Sequence, residues 1–116
     1  MISNKEKFTK TNVVGTTFEG RQEKIKQLKD LTNKEKVSLI LEHEEDNKYD
    51  SNAIKVIAKH KNGKQHIGYI NKNLNETLLN AVKNNSYEIP EFYIVGGGDD
   101  GFNYGVELSI VYKGNE

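Results

Sequence analysis

Apolar and polar positions change period several times along the chain, and each change marks an element. Thr11 to Phe18 (TNVVGTTF) is β-branched and aromatic, interrupted by Gly15, and predicts a strand with a bulge or a close backbone approach at the glycine. From Arg21 to Leu31 the spacing becomes helical: Ile25, Leu28 and Leu31 recur among Lys, Gln and Glu as a narrow apolar stripe on a surface helix. Val37, Leu39 and Leu41 alternate with Ser38 and Ile40, and Ile54, Val56 and Ala58 alternate with Lys55, Ile57 and Lys59, so two strands flank the acidic connection Glu42 to Asp50. The Asn62-Gly63 pair predicts a hairpin turn within Ala53 to Ile70. A second helix over residues 73–84 follows from the face made by Leu74, Leu78, Ala81 and Val82, with Asn73 and Glu76 at capping-box spacing. Tyr87 to Val95 and Phe102 to Tyr112 complete the pattern as strands, with Gly96 to Gly101 turning between them.

Six strand segments against two helices make the expected class mainly β with two helices (α+β). The strand sequence is too short for two full packed sheets, which favours a small OB-like or SH3-like antiparallel β-barrel of about six strands with the helices on its surface. Residues 1–10 read as a flexible N-terminal tail and residues 11–113 as a single domain.

Composition narrows the function classes. At 116 residues with 34% hydrophobic and 29% charged, the chain supports one module with a thin core and leaves no room for a separate catalytic domain. No cysteine is present, which excludes disulfides, thiolate metal sites and a cysteine nucleophile and suits a cytoplasmic setting. No apolar run approaches a membrane span, and the N-terminal residues lack the apolar segment of a secretion signal.

Formal charge is zero, but it is segregated: +4 over residues 1–41, −4 over 42–50, +5 over 51–85 and −5 over 86–116. A neutral total argues against coating long stretches of phosphate backbone, while the segregation leaves room for a local basic face.

Several motifs fail on context. Gly96 to Gly101 spells G-x-G-x-x-G, yet an alternating strand follows where a dinucleotide fingerprint needs a helix, so a hairpin turn is the better reading. The carboxylates Glu42, Glu44, Glu45, Asp46 and Asp50 do not match a calcium loop, since a start at Asp46 puts Lys48, Ser51 and Ile57 at the diagnostic places. His43, His60 and His66 have no ligand spacing, and no nucleophile elbow or H-E-x-x-H occurs. No metal, no small-molecule cofactor and no catalytic residue is expected; the chain reads as a non-enzyme.

The stretch Glu44 to Val56 (EEDNKYDSNAIKV) carries more information. On composition alone it is a turn capped by Asn47, Asp50 and Asn52 that enters a buried strand at Ala53. It also resembles the signature of the HIRAN domain family, an Asn-x-Tyr-Asp-x-Asn-Ala-Ile-x-Val run after a strand ending in Glu. Val14 to Gln22 (VGTTFEGRQ) and Ile67-Gly68-Tyr69-Ile70 are similar to further family motifs in the same order.

The resemblance implies an OB-like pocket that captures the 3′-hydroxyl end of single-stranded DNA. Tyr49 would stack on the terminal base, Asp50 would accept the hydroxyl hydrogen, and Asn47 belongs to the same pocket pattern. Phe18 falls on a second stacking aromatic, Lys72 on a phosphate-contacting lysine and Phe102 on an aromatic that closes the pocket. Thr17 and Tyr69 depart from the DNA-binding pattern, standing where it has an arginine and a histidine, which puts two phosphate contacts in question; Arg21 is the nearby candidate to replace part of that charge. Members occur alone or fused to helicase or nuclease modules, so such proteins are the expected partners. The rival expectation is a protein-interaction adaptor that keeps the fold without DNA-end binding.

Overall fold

The computed structural model describes residues 6–61, 63–97 and 103–113. The elements run β1 (Glu6–Asn12), α1 (Arg21–Leu31), β2 (Ser38–His43), β3 (Ile54–His60), β4 (Gly63–Tyr69), α2 (Lys72–Lys83), β5 (Tyr87–Gly96) and β6 (Tyr104–Lys113). All strand pairings are antiparallel, and they form two three-stranded sheets in the orders β1-β6-β5 and β2-β3-β4.

The expected six strands and two helices are present, but among the described residues no continuous ladder closes them into a barrel. Two local contacts join the sheets instead. Val13 donates its N–H to the Val106 carbonyl on one sheet, while Val14 pairs with Tyr69 on the other through N···O bonds of 2.8 and 2.9 Å. Elsewhere the Tyr87 hydroxyl accepts from the Leu41 N–H at 2.8 Å and donates to the Leu41 carbonyl at 3.2 Å. A phenol thus occupies the place a backbone ladder between β2 and β5 would take.

The opening strand also differs from the expected Thr11–Phe18. It lies upstream, so Glu6 to Lys10 pair with β6 instead of forming a loose tail. Its residues are mostly exposed, and the strand stands on backbone pairing with β6 more than on apolar burial, a property that hydrophobic alternation does not report. The apolar pair Val13-Val14 serves as the crossing between sheets, and Gly15 to Gly20 form a turn.

The core lies between the sheets and the helices. Ile25 and Leu28 of α1 and Leu78 and Ala81 of α2 meet Leu41, Ile54, Val56, Ile67, Val106 and Ile110 from the strands. Burial of each Val, Leu or Ile side chain among them contributes roughly 1.5–3 kcal/mol. In α2 the N-cap is Asn71, whose side chain accepts from the Asn73 N–H at 2.9 Å, so the cap lies two residues before the one expected at Asn73. Between β3 and β4 the register shifts by one residue after Val56-Gly68, leaving Ile67 as a bulge next to Gly68 and Tyr69.

Candidate nucleic-acid interface

Three segments converge on one cleft of about 680 Å³: the turn Val14 to Arg21, the loop Asn47 to Ala53, and the run from Tyr69 into the first turn of α2. Its lining includes Phe18, Arg21, Asn47, Tyr49, Asp50, Tyr69 and Lys72, so seven of the nine residues singled out from the sequence come together. Thr17 lies exposed on the adjoining turn and is not part of the lining. Phe102 lies outside the described residues.

The loop's conformation follows from its short polar side chains. Asn47 Oδ1 accepts the N–H groups of Tyr49 and Asp50 at 2.8 and 2.9 Å, and Asp50 Oδ1 accepts the Asn52 N–H at 2.9 Å. These side chains imitate a backbone turn and leave the Tyr49 ring with nothing to pack on: it is 93% exposed. Phe18, 64% exposed, is a second exposed aromatic ring in the cleft lining, beside the half-buried Tyr69.

Buried groups form the base. Asn75, 5% exposed, donates from Nδ2 to Asp50 Oδ2 at 2.9 Å, while its Oδ1 has no hydrogen-bond partner among the described residues. The Asn52 N–H first, then Asn75, hold the Asp50 carboxyl below its usual range, with the Lys72 charge adding to the effect. A carboxylate has about four acceptor positions, so the two bonds leave Asp50 able to accept another.

Glu44 organises the wall behind. Its Oε1 accepts from Asn47 Nδ2 and from the Tyr69 hydroxyl, both at 2.8 Å, and Lys55 Nζ lies 3.1 Å from Oε2. Desolvation raises its pKa, but the bonds from Asn47, Tyr69 and Lys55 together outweigh it and bring the value down to about 2. Burial, then the Glu44 bond, raises the Tyr69 phenol. Arg21 lies 5.3 Å over the Tyr69 ring, and His66 meets the same ring edge-on at 4.9 Å; burial, then the Arg21 charge, lowers the His66 pKa.

The acidic segment therefore divides, with Asp50 lining the cleft and Glu44 in the wall behind it. Among the described residues no group of three His, Asp or Glu side chains is placed to hold a metal ion. Likewise, no described helix is long and apolar enough to cross a membrane.

Sequence reasoning assigned no role to Asn75, Glu44 or Gln22. Gln22 Nε2 donates to the Thr16 and Tyr104 carbonyls at 3.0 and 2.9 Å, and its Oε1 accepts the Tyr104 N–H at 2.8 Å, tying the cleft's first turn to β6. Asn75 had a signal: it is a polar residue three positions before Leu78 on the buried face of α2.

The fold is similar to the crystal structure of the HIRAN domain of human HLTF, with a TM-score of 0.51 and 21% identity over 91% of this chain and 76% of that one. A search of curated proteins finds no significant match. The family model for the HIRAN domain matches residues 7–113, nearly the whole described chain, and the chain belongs to that family.

Proposed function

We propose that the protein is a non-catalytic nucleic-acid-binding module whose cleft holds the 3′-hydroxyl end of a single DNA strand. The observation that carries this reading is the pair of exposed rings, Tyr49 and Phe18, in the same cleft as an ionised Asp50. Exposed aromatic rings stack on bases without regard to sequence. A carboxylate with spare acceptor capacity receives a hydroxyl hydrogen and repels a terminal phosphate. Lys72 supplies a cation beside it for the last internal phosphate.

The test is an anisotropy titration of single strands that differ only at the terminus. The 3′-hydroxyl strand is expected to bind more tightly than the 3′-phosphorylated one, and Asp50→Asn is expected to narrow the gap. Equal affinity for both ends, or no binding to any single strand, would favour the rival adaptor reading. That rival has its own support in Phe8 and Tyr93, which are exposed on the same outer face of the β1-β6-β5 sheet.

A further inference from the structure

Arg21 is one of the two cations lining the cleft, and its charge is already paired. Its guanidinium is held on three sides. Nη1 donates to the Gly15 carbonyl at 2.7 Å, Nη2 meets Glu19 Oε2 at 3.0 Å, and the Tyr69 ring lies 5.3 Å away. Gly15 and Tyr69 fix the group in place and carry no negative charge at neutral pH. Glu19 neutralises it.

The two partners differ sharply in exposure. The Arg21 side chain is 6% exposed, whereas that of Glu19 is 78% exposed and also lines the cleft. The backbone presents Glu19 there in a left-handed conformation, φ 55°, followed by Gly20 at φ 76°. A left-handed non-glycine residue is uncommon, and here it aims the carboxylate back across the turn at Arg21.

We infer that Glu19 determines the cleft's selectivity: its carboxylate holds the anion position that Arg21 offers, and a phosphodiester gains Arg21 only by displacing it. Carboxylate and phosphate oxygens match the same guanidinium fork. The solvent-exposed side chain of Glu19 can swing away at the cost of that single ion pair, while Arg21 stays held by Gly15 and Tyr69. Displacement lowers the affinity for any anionic backbone and leaves hydroxyl recognition at Asp50 untouched, so the contribution of the strand's terminus is emphasised over that of its charge. The inference rests on the end-capture reading.

Glu19→Gln keeps the side-chain length and removes the charge. Its comparison is Glu45→Gln, an exposed carboxylate of the neighbouring acidic loop that makes the same change in net charge. Labelled single-stranded DNA with ordinary linkages is titrated against wild type and both variants, then repeated with a strand whose linkages are uncharged methylphosphonates. Glu19→Gln is expected to tighten binding of the ordinary strand by about twofold to fivefold, the range set by exposed ion pairs. It should also steepen the salt dependence by up to roughly 0.7 in log-log slope. Glu45→Gln should do less on both counts, and the uncharged strand should show no gain with Glu19→Gln.

A gain no larger than that of Glu45→Gln, or an equal gain on the uncharged strand, would overturn the inference while leaving end capture intact. Failure of wild type and Glu19→Gln alike to bind the ordinary strand would remove both.

Discussion

Tyr49 is the residue at which a structural role and the proposed binding role can be told apart. Its ring is almost wholly exposed, and the loop around it is held by Asn47 and Asp50 through backbone N–H groups, independent of the phenol. Tyr49→Ala should therefore change stability by no more than about 0.5 kcal/mol, as surface substitutions do. The same variant should cost about 1–3 kcal/mol of single-strand binding through lost stacking. Denaturant melts and anisotropy on the same preparation check both; binding that falls only with the folded fraction would return Tyr49 to a turn residue.

Glu44 makes the opposite case, a carboxylate whose role is internal. Its pKa is depressed from 4.5 to about 2 on folding, so its contribution to stability is present above about 4.5 and is lost as the pH falls through 2. That contribution is on the order of 1–3 kcal/mol. Glu44→Gln should lower the urea midpoint at neutral pH and flatten its dependence on pH between about 5 and 2. Glu44 was legible as an acidic residue after a strand, but of its three partners only Asn47 is local; Lys55 and Tyr69 come from other strands, Tyr69 25 positions away in sequence.

At the scale of elements, periodicity located those whose apolar side chains make the core. α1 falls on Arg21–Leu31 as expected, and α2, β5 and β6 lie within two residues of their expected limits. It misplaced β1, because an edge strand held mainly by ladder hydrogen bonds carries little alternation. It also suggested a closed barrel, since strand number alone does not reveal where a seam is left without a ladder.

One seam turns on Gly68. The Val13-Val14 crossing packs so closely on β4 that a methyl group at Gly68 would collide with the Val13 side chain and stand 2.5 Å from the Val14 carbonyl oxygen. Gly68→Ala should destabilise the fold by about 1–3 kcal/mol, in the range of an overpacked core. The damage should concentrate at the Val14-Tyr69 bridge, and hydrogen exchange of the Val14 and Tyr69 amides would show it. An unchanged midpoint with unchanged protection would mean the sheets are not tied there.

For the whole molecule, charge is the property that the sequence displays in one dimension and the fold rearranges. The two positive blocks leave room for a local basic face, yet the cleft draws one cation from each, Arg21 and Lys72, and sets Glu19 and Asp50 beside them. Its lining is thus electrically balanced, like the chain as a whole. A ligand gripped there releases few counterions, because each phosphate neutralised on a single strand contributes roughly 0.7 to the log-log salt slope. One or two phosphate contacts give a slope of magnitude about 0.7 to 1.4. Lys72→Ala should weaken binding of all sequences alike and reduce that slope by roughly 0.7, since a lysine point charge reads the backbone and not the base. Titrations across a range of salt concentrations check this directly. A slope of magnitude well above 2 that survives Lys72→Ala would place the DNA along the lysines of β3, β4 and α1, outside the cleft, and stacking at Tyr49 would then no longer explain affinity.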